Sequence, residues 1–134
     1  MAKLILIEGI GDVYANKLNE VGVTSVESLR EKGATPKGRK EIAEKTGIRE
    51  ELILDWVNHA DLFRIRGVGE EYADLLEAAG VDTVPELAQR NPEHLLQKLI
   101  QANEAKKLVR RLPVLSQIAD WIEQAKHLPR IITY

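Results

Sequence analysis

Cysteine is absent from the 134-residue chain, and its absence excludes a disulfide framework, a thiol nucleophile and a thiolate metal site. Aromatic residues make up only 4% of the sequence, so the core must be built from Leu, Ile, Val and Ala, which favours packed helices. The longest apolar run near the start, Leu4 to Ile7, is far too short for a signal peptide or a membrane span. We therefore expect a cytoplasmic protein that does not enter a membrane.

A strong net charge is also lacking, because 19 Lys and Arg residues against 21 Asp and Glu residues leave a net charge of −2. A near-neutral chain has no global attraction for nucleic acid. His59, His94 and His127 are scattered, with no second ligand at metal spacing and no Ser or Asp in a nucleophile setting. The sequence therefore predicts neither an enzyme nor a metal or cofactor site.

What the chain does contain is an internal repeat. The segment Ile7–Leu29 matches the segment Ile65–Leu87: each has a Gly-apolar-Gly turn, a helix that ends at glycine, and a new helix that starts at Ser or Thr. Each copy later ends on a helix whose apolar stripe holds a tryptophan, which we expect to lie in the core. We predict an all-α fold of roughly ten short helices, with residues 1–60 and 61–134 as tandem repeats packed into one compact helical unit.

Helix boundaries follow from local signals. Thr35-Pro36 and Asn91-Pro92 each predict a helix start, because proline fits the first helical turn. In the second copy we expect one helix over about residues 92–101, a separate helix over about residues 104–112, and a last helix that begins near residue 114.

Two glycine turns are the first candidate binding elements. Glycines allow the backbone to approach a phosphate closely, and the helix that follows offers N–H groups and a positive dipole end. The residues of these turns are Gly9, Ile10 and Gly11 in the first copy, and Gly67, Val68 and Gly69 in the second.

Acidic residues directly after both turns argue against phosphate binding there. Asp12 follows the first turn, and Glu70 and Glu71 follow the second. A carboxylate at a helix start is expected to cap the N–H groups itself and to repel a phosphate. The second turn, with two acids, is accordingly predicted to be the poorer phosphate site. The alternative interpretation is that both glycine pairs only allow tight packing.

Basic residues form two local clusters, each of which is a candidate for phosphate contacts. The second cluster has a spacing that would place its pairs on adjacent faces of a helix. A solvated helix face would explain these residues equally well. The candidates are Lys37, Arg39 and Lys40 in the first copy, and Lys106, Lys107, Arg110 and Arg111 in the second.

Several segments together resemble the family of domain of unknown function 4332. They are Ile7–Leu18, Gly33–Ala43, Asp61–Tyr72, Asn103–Val109 and the closing helix around Trp121, so the resemblance covers nearly the whole chain. It implies an all-helical fold of tandem helix-hairpin-helix repeats, and it implies no known activity.

Two functions remain in competition at this point. The first is sequence-independent nucleic-acid binding, with double-stranded DNA as the partner, through the turn backbones and the basic residues of both clusters. The second is a protein–protein adaptor, or a module that associates with a second copy of itself, without nucleic-acid activity. The near-neutral charge favours the second function, and the analogy of fold favours the first.

Overall fold

In a computed structural model of the chain, which describes residues 2–134, all regular structure is helical. A short 3-10 turn over Leu4–Leu6 precedes eight α-helices, and no strand forms within the described residues. The all-α prediction is therefore confirmed. The helices are α1 (Asp12–Glu20), α2 (Val26–Lys32), α3 (Pro36–Thr46), α4 (Glu50–Leu62), α5 (Glu70–Ala78), α6 (Val84–Ala88), α7 (Pro92–Lys106) and α8 (Leu115–His127).

The chain divides into two compact units. The first contains the residues up to Asp61 together with Ile131–Tyr134, and the second is Leu62–Arg130. The last four residues thus lie in the first unit, whereas the sequence-based division places them in the second repeat. They do so because the Thr133 N–H donates to the Ala34 carbonyl at 2.8 Å. Met1, which that division includes in the first repeat, lies outside the described residues.

Local capping explains the predicted helix starts. The Thr35 hydroxyl accepts from the Gly38 N–H at 3.1 Å at the start of α3. The Asn91 side chain accepts from the His94 N–H at 3.1 Å at the start of α7. In both helices proline occupies the first turn, where its missing N–H costs no hydrogen bond.

The two copies of the sequence repeat share local geometry. Gly22 and Gly80, which follow α1 and α5, have positive φ angles of 84° and 93°. A basic side chain closes each turn by donating to the glycine carbonyl: Lys32 Nζ does so at 2.7 Å and Arg90 Nη2 at 3.0 Å. These two glycines adopt a conformation that other residues rarely take.

Each unit packs a tyrosine against a buried tryptophan. The Tyr14 and Trp56 rings lie 5.1 Å apart in the first unit, and the Tyr72 and Trp121 rings 5.2 Å apart in the second. Both tryptophans are almost fully buried, as the sequence predicts. The tilted ring pairs add attraction to the area that the tryptophans bury.

The prediction of a separate helix over residues 104–112 is wrong. Helix α7 runs without a break to Lys106, and the next residues are not helical. Lys107 takes a left-handed conformation with φ 51° and ends the helix. The Asn103 side chain then holds the departing chain, because its oxygen accepts from the Val109 N–H at 3.0 Å and its nitrogen donates to the Val109 carbonyl at 3.2 Å.

Candidate functional site

The first glycine of each turn is required by the fold. Gly9 and Gly67 have φ angles of +93° and +95°, which side chains disfavour. A Cβ atom would also lie 3.2 Å from Nε1 of Trp56 at Gly9, and 3.0 Å from Nε1 of Trp121 at Gly67. At these two positions the packing interpretation holds, because the positive φ and the buried indole together disfavour any side chain.

The second glycine of each turn has no such structural requirement. Gly11 and Gly69 have φ angles of −94° and −104°, which any residue adopts. A Cβ at either position would meet no atom of the described residues within 4 Å. The middle residues Ile10 and Val68 point inward and are buried, whereas both glycines are exposed. Each turn therefore presents bare backbone to solvent.

The predicted capping by the following acids is not observed. Gly11 and Gly69 are the N-cap residues of α1 and α5, and neither helix has a side-chain cap. The carboxylates of Asp12, Glu70 and Glu71 are exposed and form no hydrogen bond with residues 2–134. The N-cap is the position from which a side chain accepts from the first free N–H groups, and glycine occupies it in both helices. The acids follow one or two residues later, so their side chains extend into solvent. Their charge still favours the helix dipole and opposes a phosphate.

Arg39 belongs to the packing of the first unit. It is only 6% exposed, its Nη1 donates to the Gly33 carbonyl at 2.8 Å, and its Nη2 donates to the Thr133 carbonyl at 2.7 Å. The guanidinium also lies 5.8 Å from the Tyr134 ring centroid. Burial lowers the pKa of Arg39 from its usual value. Of the first basic cluster, only Lys37 and Lys40 are exposed on α3.

We expect Arg39→Met to lower the free energy of unfolding of the first unit by about 2 kcal/mol, since one buried and one part-buried carbonyl lose a charged donor. Urea denaturation measures this change, and amide hydrogen exchange should show faster exchange at Thr133. Lys40→Met on the exposed side of the same helix is the matched control and should change stability by less than about 0.5 kcal/mol. Equal stabilities of the two variants would contradict the structural role of Arg39.

The second basic cluster starts at Lys106, the last residue of α7, and continues on the non-helical connection to α8. We name residues 106–114 the basic connector. Its four cations are all exposed, and residues 105–119 contain no Asp or Glu. Buried Val109 and Pro113 anchor it to the unit. The helix that was predicted to carry the four cations on adjacent faces does not form. The cations nevertheless lie on one continuous segment; they are Lys106, Lys107, Arg110 and Arg111.

The basic connector is attached to the helix that follows the second glycine turn. The Tyr72 hydroxyl donates to the Arg111 carbonyl at 3.1 Å. Tyr72 lies in the first turn of α5, whose N-cap is Gly69, and its ring packs on Trp121. The second glycine turn and the connector are therefore neighbours on the second unit, which the sequence spacing alone did not indicate.

Arg66 is a cation that the sequence interpretation missed. It is exposed and directly precedes Gly67, where the first copy has Glu8. Gln124 fixes its backbone from both sides, accepting from the Arg66 N–H at 2.9 Å and donating to the Arg66 carbonyl at 3.0 Å. The sequence could have indicated this cation, because the two copies of the repeat differ here: Arg66 stands where the first copy has Glu8. With Arg66 and the connector beside it, the second turn has more positive surroundings than the prediction assumed.

Helix α8 starts at the end of the connector with unusual chemistry. Its first turn contains no acid, and its N-cap residue is Val114, whose side chain cannot cap. Val114 is 57% exposed and Leu115 is 40% exposed. Two aliphatic side chains thus face solvent three and four residues after Arg111.

The remaining surfaces offer little chemistry. Within residues 2–134, no group of three or more His, Asp or Glu side chains is arranged to hold a metal ion. None of the described helices has both the length and the apolar character to cross a membrane.

Comparison with known proteins identifies the family of the chain. The model of the family described as domain of unknown function (DUF4332) matches residues 8–128. No curated protein and no solved structure matches the chain.

Proposed function

The chain belongs to the domain of unknown function 4332 family, and we propose that it binds nucleic acid without sequence preference, with double-stranded DNA as its ligand. The observation that carries this proposal is the basic connector, which begins at the last residue of α7, continues as non-helical chain, and has four exposed cations with no acid from residue 105 to residue 119. Lys and Arg at such spacing can contact successive phosphates of one strand. The proposal needs only this local charge, so a net charge of −2 does not oppose it.

Rigidity of the connector supports the proposal. The bonds of Asn103 to Val109 and of Tyr72 to Arg111 fix its backbone at two places. A preorganised segment loses less conformational entropy on binding than a mobile loop does. Phosphate contacts from such a segment fix the position of a duplex without reading its bases.

The second glycine turn supplies the backbone part of the proposed interface. Gly69 is exposed and has no steric reason to be glycine, which supports close approach of a ligand to the backbone. Arg66 adds a cation beside it. Because Glu70 and Glu71 repel phosphate, we assign most of the binding free energy to the connector.

The first unit holds fewer candidate residues for phosphate contacts. Lys37 and Lys40 are exposed on α3, whose first turn has no acid, and they remain phosphate candidates. The Gly9–Gly11 turn has Glu8 and Asp12 on either side, and Arg39 is buried. We therefore leave Arg39 out of the interface.

One observation favours the second candidate function, that of a protein–protein adaptor or a self-associating module. Both helices that follow the glycine turns begin with exposed acids, and such acids suit a basic protein surface better than DNA. For that function the connector would be a solvated surface, and binding to DNA would be weak at every salt concentration.

A titration of a fluorescent duplex at 20, 50, 100 and 200 mM salt tests the proposal. We expect micromolar or tighter binding at the lowest salt concentration and a steep linear fall of log affinity with log salt, with a slope of about −0.9 for each phosphate contacted. Duplexes of unrelated sequence should bind equally. Absence of binding at about 20 mM salt would refute nucleic-acid binding, and light scattering on the same sample would then test self-association.

A further inference from the structure

We propose that Val114 and Leu115 form a wedge that inserts between stacked bases of the bound duplex, so that the protein prefers DNA at a mismatch or another weakly stacked step. This inference rests on the proposed function and specifies which form of DNA the same surface recognises. It concerns two residues that the fold itself does not explain.

The exposure of the two side chains is the first observation. Val114 is 57% exposed and Leu115 is 40% exposed, although they are consecutive and both aliphatic. Val114 also occupies the N-cap of α8, where Ser, Thr, Asp or Asn would stabilise the helix. Helix stability therefore disfavours valine at this position, and no described packing contact buries it. A ligand that covers the pair would remove both apolar side chains from water and so account for their presence.

The charge around the pair identifies what covers it. Arg110 and Arg111 precede it, and no acid lies between residue 105 and residue 119. A protein segment or a duplex could match the apolar pair, but a run of cations without an acid from residue 105 to residue 119 favours a polyanion such as a duplex. Proteins that kink DNA combine cations on the phosphates with apolar side chains inserted at a base step. The basic connector and the wedge reproduce that combination within about ten residues of chain.

The wedge is held in position. The Val114 N–H donates to Gln117 Oε1 at 2.9 Å, and the Val114 carbonyl accepts from the Ile118 N–H at 3.1 Å. Upstream, Tyr72 fixes Arg111 by its carbonyl. The aliphatic side chains thus project from a fixed backbone, which a wedge requires in order to transmit force to a base step.

Insertion would give selectivity without base readout. Opening a base step costs free energy, and this cost is smaller where a mismatch already weakens stacking. The protein would therefore recognise deformability of the duplex and not its sequence. We expect about tenfold tighter binding to a duplex with a central mismatch than to the fully paired duplex.

The experiment compares three proteins on two duplexes, and each duplex carries 2-aminopurine next to its central step. The proteins are the natural chain, the double variant Val114→Ser/Leu115→Gln, and Ile5→Gln as a control at an exposed aliphatic residue of the first unit. Affinity is measured by anisotropy across salt, and unstacking by the rise of 2-aminopurine fluorescence. Serine at position 114 can cap α8, so the double variant should fold.

The expected result is a fluorescence rise and mismatch preference for the natural chain and the Ile5→Gln control. The double variant should bind the paired duplex with nearly the same affinity and salt slope, but without preference and without the fluorescence rise. If the natural chain binds both duplexes equally, the wedge is refuted and the proposed function stands. If it binds neither duplex at low salt, the proposed function fails. Self-association that only the double variant loses would assign the pair to a protein contact and overturn the wedge.

Discussion

Replacing Gly67 with Ala should lower the free energy of unfolding of the second unit by about 3 kcal/mol. The φ angle of +95° strains any residue with a Cβ, and that Cβ would lie 3.0 Å from Nε1 of Trp121. Because the indole is almost fully buried, it can move away only by disturbing the core. Strain and displaced packing therefore act together at one position.

Gly69→Ala is the matched control, since it makes the same chemical change two residues later in the same turn. There φ is −104° and the new methyl group meets no atom within 4 Å among the described residues. We expect a change of less than about 1 kcal/mol, which is the ordinary cost of alanine at an N-cap. Urea denaturation measures both variants, with hydrogen exchange of α5 to assign the loss to the second unit. Equal losses at the two glycines would disprove the role of Trp121 in selecting glycine.

The same pair separates stability from binding. Gly67 is explained by packing, whereas no packing contact requires glycine at position 69. If the proposed function holds, Gly69→Ala should weaken duplex binding while leaving the fold intact. The two glycines of one motif thus have different physical reasons to be glycine, and sequence alone cannot distinguish them.

Local chemistry made the helix class and several boundaries predictable. Thr35-Pro36 and Asn91-Pro92 begin helices because a polar N-cap and a first-turn proline act within a few residues of chain. Trp56 and Trp121 were expected in the core and lie there, since each belongs to the apolar stripe of its helix and has a large apolar area to bury. These features depend only on residues that are close in sequence, so they can be predicted without knowledge of the fold.

The end of α7 could not be predicted in the same way. Residues 104–112 contain no glycine or proline and read as a helix, yet the helix ends at Lys106. The cause is the Asn103 side chain, which binds both backbone groups of Val109 and replaces the hydrogen bonds that a longer helix would make. A left-handed lysine has no strong sequence signal, because residues with a Cβ disfavour this conformation and rarely adopt it.

Arg39 shows the same limit for the candidate site. In sequence it stands between Lys37 and Lys40 and reads as a third member of a basic surface. In the structure it binds the carbonyl of Thr133, a residue at the other end of the chain. No pattern within one helix reveals a partner at that distance, so charge alone overestimated the number of cations available to a phosphate.

Neutralising the four cations of the basic connector should reduce duplex affinity by about 100-fold or more at low salt. The variant changes Lys106, Lys107, Arg110 and Arg111 to Gln. Each lost phosphate contact removes about one unit from the slope of log affinity against log salt, so the slope should become shallower by about 3 to 4. The fold should persist, because all four side chains are exposed.

A matched control separates the position of charge from its amount. Changing the exposed residues Lys3, Lys45, Arg49 and Lys126 to Gln alters the net charge equally and leaves the connector intact. We expect this variant to bind the duplex within about threefold of the natural chain, because charges away from the interface act only through screened long-range attraction. If both variants lose affinity to the same extent, binding reflects overall charge and the connector is not the interface. If the connector variant binds as tightly as the natural chain, the phosphates are contacted elsewhere, and Lys37 with Lys40 on α3 is the next surface to change.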